Sequence, residues 1–433
     1  MLDVTSLVSA SSVSAAVLVA LLTYLSIPSV QQRAVRQLPA PFTGWFAELR
    51  STIVVMQKHS PRIYDWLLDN CRDFQGKPWR MQVLGRPATI VVSSATVEHI
   101  LKTQFESFVK GEYNSNVMFD VLGQGIIATD GELWAHQRRT FARHALSFQQ
   151  PTWLWQLKKR LNLGVEKQLA TDMKLINGVV EQIVLRSMKE NSEDLATGPR
   201  RDLVSLFVDK MSSSELATAN PTLIRDMALN FIAAGRDTTS QAMSWFLVMM
   251  NRYPNVLARV HEELQTHLPQ LKEGKTAPSM GEIQALTYLE AVLKESLRLN
   301  AVVPVKTRIT ATDTTLDDGT FLKQGTRVVI SSYVLARMPS VRGDDAETFN
   351  PDRWIDSSTG KLKEVSAFQF PVFLAGPRTC LGMKFALMEM KITLATLLSR
   401  FEFRTVRDPF AITYKASTTL AINGSLDVKI SRR

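Results

Sequence analysis

One long helical run at the centre of the chain constrains the fold more than any other feature. Asn220-Pro221 reads as an N-cap followed by a proline at the first helical position, and the pattern continues to Tyr253, where Pro254 stops it. At 1.5 Å per residue such a helix is about 50 Å long, enough to cross a whole domain, so the other elements must be arranged around it. Most of the run is apolar. Gly235 and the hydroxyl run Thr238-Thr239-Ser240 nevertheless interrupt it halfway along. Weak helix formers at the centre of a buried helix cost stability, so the interruption needs a reason.

Around this helix the pattern is mainly helical with small sheet elements. Arg80 to Leu84 and Thr89 to Val92 read as two short strands joined at Gly85-Arg86-Pro87. A helix from about Ala95 to Gln104 follows, with Ser94 as its N-cap. Glu112 to Asp130 reads as an irregular loop, and a helix carrying Trp134 comes next. Ser279 and Glu282 form a capping box that opens a strong helix running through Leu299. Further strands are expected around Thr326 to Ile330 and Thr413 to Ile430, and a final buried helix between Gly382 and Phe401. The expected class is therefore α+β: mainly α with small β-sheets.

Two cysteines, Cys71 and Cys380, give no disulfide framework, which suits a catalytic core in the reducing cytosol. Cys71 lies in the helix-like run Ile63 to Phe74 and reads as a small packing residue. The formal net charge is +10. Its Lys and Arg are scattered and no nucleic-acid motif appears, which favours an acidic partner or an anionic membrane surface over nucleic acid. At the N-terminus the strongly apolar stretch Ala15 to Ile27 also has the length of a signal-peptide core. Asp3 ahead of it, with Arg33 and Arg36 behind, favours an uncleaved anchor over residues 1–28 with everything downstream in the cytosol. Residues 29–41, with Leu38-Pro39-Ala40-Pro41, then read as a stiff spacer, and residues 42–433 as one catalytic domain.

The chemistry concentrates in Phe373-Leu374-Ala375-Gly376-Pro377-Arg378-Thr379-Cys380-Leu381-Gly382. Cys380 stands just ahead of a helix N-terminus, where backbone N–H groups and the helix dipole stabilise a thiolate. Gly376 and Gly382 permit a tight turn and close approach of backbone to something flat and large. The bland alternative is a buried cysteine in an ordinary turn. At all five fixed positions, however, the segment resembles the cysteine-ligand loop of the cytochrome P-450 family, F-x-x-G-x-R-x-C-x-G. That resemblance implies a haem b cofactor, iron protoporphyrin IX, with Cys380 as the axial iron ligand. It also implies that Arg378 binds a haem propionate. A thiolate ligand pushes electron density to the iron and favours O–O cleavage.

Three further segments follow the family's order. Glu295-Ser296-Leu297-Arg298 resembles its E-x-x-R helix motif, and Phe349-Asn350-Pro351-Asp352-Arg353-Trp354 its P-x-R-W element. The resemblance implies a buried structural network of Glu295, Arg298 and Arg353. Ala234-Gly235-Arg236-Asp237-Thr238-Thr239 resembles the oxygen-activation segment. Activating O2 needs protons delivered into a site that otherwise excludes water, and Asp237 with Thr238 would supply a relay. The bland reading of Thr238 is a hydroxyl bonded back to the helix carbonyls. Trp134 and Arg138, in a W-x-x-x-R run, and Arg308 match further propionate contacts.

The resemblance spans nearly the whole chain but breaks at one place. Phe141 to Ser147 still reads as the end of the Trp134 helix, whereas Pro151-Thr152-Trp153 already looks like a much later helix end. About three helices are missing between residues 147 and 151, judged by ordinary helix lengths. Their loss should expose apolar surface and open the distal side. Besides a chain that cannot hold haem at all, two function readings stay open on this account. One is a monooxygenase inserting one oxygen atom of O2 into a C–H bond, with electrons from NADPH through a membrane-bound cytochrome P-450 reductase, at the endoplasmic reticulum membrane. The other is a haem-binding but catalytically impaired paralogue, or a truncated gene model. For substrate, the runs Ala234 to Ser240 and Phe370 to Arg378 look most like fatty-acid and alkane hydroxylases of plants, fungi and oomycetes, which implies a lipophilic substrate and fatty acid hydroxylation.

Overall fold

The computed structural model describes residues 30–43, 47–83, 86–112, 221–273, 278–417 and 419–433, with isolated positions between 115 and 182. The expected anchor, Trp134, Arg138 and the break near residues 147–151 lie outside the described residues. The chain divides into two compact units, residues 1–109 with 305–347, and residues 110–304 with 348–433.

The first unit is built on a five-stranded sheet. Its helices include α1 (Val30–Ala34), α2 (Ala47–Val54), α3 (Ile63–Asp73) and α4 (Ser94–Glu98), with two short ones at Ser332–Leu335 and Pro339–Arg342. Strands β1 (Trp79–Val83), β2 (Arg86–Val91), β3 (Phe108–Val109), β4 (Val305–Thr310) and β7 (Arg327–Ser331) stand in the order β1-β2-β7-β4-β3. β5 (Thr314–Thr315) and β6 (Phe321–Leu322) form a separate hairpin. The β2–β7 pair is parallel, and the other neighbours in the large sheet are antiparallel. β2 and β7 lie inside it and carry the buried Ile90, Val91, Val328 and Ile330, as a strand covered on both faces requires.

The stretch read as a spacer packs on this unit: Val35 is buried, and the Pro39 carbonyl accepts from the Arg80 N–H at 2.9 Å. Cys71 is buried in α3 as a packing residue. Trp79 Nε1 donates to its sulfur at 3.1 Å, and burial pushes the thiol up to about 12. One boundary moves. Ser93, not Ser94, caps α4, its extended backbone letting the hydroxyl accept from the Thr96 N–H.

In the second unit the long central helix is α5 (Pro221–Arg252), and Pro254 occupies the first turn of α6 (Pro254–His267). The capping box forms as the sequence predicts, with Ser279 N–H donating to Glu282 Oε2 at 2.7 Å. It opens only the short α7 (Met280–Ala285). The chain breaks at Leu286, and α8 (Thr287–Leu299) starts afresh. Glu263 of α6 explains the restart: its carboxylate accepts the Tyr288 and Leu289 N–H groups at 2.6 and 2.8 Å, giving α8 an N-terminal cap from another helix. The final helix, α9 (Met383–Arg400), packs with α5, α6 and α8 around one core that includes Phe246, Val260, Leu293 and Leu394. Two small antiparallel sheets close the unit, β8 (Phe401–Thr405) with β11 (Val428–Arg432) and β9 (Tyr414–Lys415) with β10 (Ala421–Ile422).

Candidate functional site

The cysteine loop is built from two tight turns and closes on itself. A 3-10 turn over Pro371–Phe373 ends at Leu374, whose φ of 61° and ψ of −176° lie in a region that essentially only glycine occupies without strain. Gly376, at φ 67°, then opens a second turn over Gly376–Arg378. Here a glycine is needed. The Cys380 N–H reaches back to the Phe373 carbonyl at 2.8 Å, and the Thr379 hydroxyl donates to the Gly376 carbonyl at 2.7 Å. Gly382 leads into α9, so Cys380 sits three residues ahead of the first turn of an 18-residue helix. Its side chain is exposed and makes no disulfide.

Beside it, Leu381 and Phe385 are 47 % and 74 % exposed. Large apolar side chains around an exposed soft donor fit a flat, largely apolar group with one ligand position, the chemistry of a haem. Phe373 packs partly buried against the core, and Arg378 is half-buried in the loop.

Glu295, Arg298 and Arg353 come together in a buried network. Arg298 Nε and Nη2 donate to the two Glu295 oxygens at 2.8 and 2.9 Å, and Arg353 Nε adds a third bond at 3.0 Å. The Asn350 N–H and Trp354 Nε1 complete the set at 2.8 and 2.9 Å. Burial alone would raise the Glu295 carboxyl. The Arg298 hydrogen bond and charge, with the Asn350 N–H and Arg353, outweigh it and hold the group below the usual carboxylate range. Sequence reasoning missed the contributions of Asn350 and Trp354, because a backbone amide and an indole N–H carry no pattern that marks them as donors. Arg298 and Arg353 also donate to the Thr348 carbonyl, which ties the 348–354 segment to α8.

On α5, the Thr238 hydroxyl donates to the Ala234 carbonyl at 2.6 Å, the mid-helix back-bond. The Asp237 side chain is 56 % exposed, on a face with Ile232, Arg236 and Ser240 that is open to solvent. Gly235 is half-buried. Arg308 belongs to the other unit, where it is buried in β4 and donates to the Thr307 carbonyl at 2.8 Å. Among the described residues there is no His, Cys, Asp and Glu cluster able to hold a bare metal ion, and no helix long and apolar enough to cross a membrane.

The sequence profile described as Cytochrome P450 matches residues 53–161 and 148–422. The two matched segments meet where the sequence reading sets the break. Cytochrome P450 86B1 of Arabidopsis thaliana is 27 % identical over 513 positions, covering 96 % of this chain and 89 % of the relative. That alignment is 80 positions longer than the 433-residue chain, so part of the relative has no counterpart here. Cytochrome P450 94B1 of the same plant is 27 % identical, covering 94 % of both chains. Its alkane hydroxylase MAH1 is 26 % identical, covering 80 % of this chain and 85 % of the relative. With the profile matched over most of its length, the chain belongs to the cytochrome P450 family of monooxygenases.

Proposed function

We propose that this chain is a haem-thiolate hydroxylase of a lipophilic substrate, a fatty acid or alkane, with Cys380 as the axial ligand. The observation that carries the reading is the exposed Cys380 thiol, held by its own backbone bond to Phe373 at the N-terminus of α9. When bound, haem b supplies O2 binding and the transfer of one oxygen atom to a C–H bond. The chain's own residues do the rest. The N-terminus of α9 favours the thiolate. Arg378, Arg308 and Arg138 would supply the positive charge that propionates need, and Trp134 would offer its indole N–H as a donor. Asp237, exposed to solvent, would receive protons, and Thr238 would hand them inward only when its hydroxyl turns from the Ala234 carbonyl to which it donates. Electrons come from NADPH through a membrane-bound reductase, and residues 1–28 anchor the chain at the endoplasmic reticulum. The alkane hydroxylase relative supports this substrate class.

The decisive experiment is the carbon-monoxide difference spectrum of the reduced, purified protein. A strongly red-shifted Soret band, lost in Cys380→Ser, is the expected result. Absence of that band in the native chain overturns the reading. The part of the 86B1 relative without a counterpart in this chain supports a second reading, haem binding without turnover. It predicts the same band but no product and no substrate-dependent NADPH consumption with fatty acids or alkanes.

A further inference from the structure

We propose that the buried ion pair between Glu290 of α8 and Lys391 of α9 fixes the register of α9, and through it positions the Cys380 loop. Lys391 is only 2 % exposed, and its Nζ lies 3.0 Å from Glu290 Oε2. The other Glu290 oxygen is 3.1 Å from Lys294 Nζ, one turn along α8. Both helices also contribute apolar side chains to the shared core: Met390, Leu394, Ala395 and Leu398 from α9, and Leu289, Val292, Leu293 and Leu297 from α8.

Rows of Leu and Met repeating every three or four residues specify an axial position weakly. The attraction between them is non-directional, and a slip of one turn, about 5.4 Å, presents a similar surface. The charged pair has no such second position. A slipped α9 would carry the Lys391 ammonium into an apolar layer without its anion, which costs far more than imperfect packing. Stability alone does not account for a lysine here, because well-packed hydrophobic side chains usually do as well as a buried ion pair or better. What a pair of this kind adds is a unique alignment.

The consequence for the site follows from chain connectivity. Cys380 precedes Met383, the first residue of α9, by three positions, so the register of α9 is inherited by the thiol. The other end of the loop is held separately. Val372 and Phe373 pack against the core, and the Phe373 carbonyl accepts the Cys380 N–H at 2.8 Å. A shift of α9 therefore breaks that bond and opens the loop. The Glu295 network ties α8 to residues 348–354, and another directional bond on α9, from Arg400 Nε to the Leu271 carbonyl at 2.8 Å, lies at the far end of the helix from Cys380. Glu290 and Lys391 are positioning residues, since neither needs to touch haem or substrate.

The test compares full-length Lys391→Met, Lys391→Arg and, as a packing control in the same interface, Leu394→Ala. Backbone hydrogen exchange over residues 374–381 is the primary readout, because it reports the Cys380–Phe373 bond whether or not haem is present. Lys391→Met leaves Glu290 with Lys294 alone and should therefore lower the thermal midpoint, but it should accelerate exchange in this segment several-fold beyond the rest of α9. Lys391→Arg should remain native-like. Leu394→Ala should lower the midpoint more and accelerate this segment no more than the rest of α9. In haem-loaded protein the same ranking should appear in the share of the red-shifted carbonyl band, a readout that rests on the haem-thiolate reading. Native exchange in Lys391→Met, equal acceleration in Leu394→Ala, or failure of Lys391→Arg to preserve protection would each overturn the proposal. A missing carbonyl band in the native chain would instead overturn the haem reading and leave the exchange result to decide this one.

Discussion

Replacing Arg298 by Met tests whether the buried Glu295 network carries the stability its geometry implies. Arg298 supplies two of the five donors to the Glu295 carboxylate, at 2.8 and 2.9 Å, and also donates to the Thr348 carbonyl at 3.0 Å. Hydrogen bonds to charged groups contribute about 1.5–3 kcal/mol each, so losing two from Glu295 costs about 3–6 kcal/mol. Removing one partner of a buried pair costs about 3–5 kcal/mol by independent measure. The donors that remain on Glu295 keep it from being left bare, which places the expected loss near the lower end, about 3 kcal/mol. Arg353 makes one bond to Glu295 from a side chain 13 % exposed to water, so Arg353→Met should cost about half as much. Urea unfolding of the full chain, followed by far-ultraviolet circular dichroism, reads both values from the midpoint shifts. A loss below about 1 kcal/mol for Arg298→Met, or equal losses for the two arginines, would refute the reasoning.

Two further outcomes follow from local geometry. Leu374→Gly should relieve about 1–3 kcal/mol of backbone strain at φ 61°, against about 0.5–1 kcal/mol of added unfolded-state freedom, so the melting temperature should rise; a fall would show that the strain is not there. Burial, together with Arg433, lowers the His261 imidazole to about 4, so its contribution to stability is complete above the ordinary value of 6.5 and is lost as the pH falls toward 4. His261→Gln should flatten the urea midpoint across that window, and an unchanged slope would exclude His261 as the titrating group.

The sequence alone was enough for most features written in local chemistry, though it placed the α4 cap at Ser94 rather than Ser93. Asn220-Pro221 and Pro254 bound the long helix because a proline ring acts on its own turn whatever surrounds it. The Ser279–Glu282 capping box, the strand pair around Pro87 and the loop from Phe373 to Gly382 are legible for the same reason, each being completed by residues a few positions apart. The family resemblance read from that loop is matched by the profile.

Other features depend on groups far apart in the chain. That α8 begins at Thr287 rather than at Met280 was decided by Glu263 on a different helix. Arg298 and Arg353 were expected near Glu295. The indole of Trp354 and the Asn350 amide joined them only because a 3-10 turn brings residues 350–354 against α8. The ion pair of Glu290 with Lys391 spans 101 positions, and in the sequence each looks like an ordinary charge on a helix surface. Periodicity and capping act over one or two turns, so the chain can state them locally. A buried charge finds its partner only when two faces close, and that closure belongs to the tertiary structure.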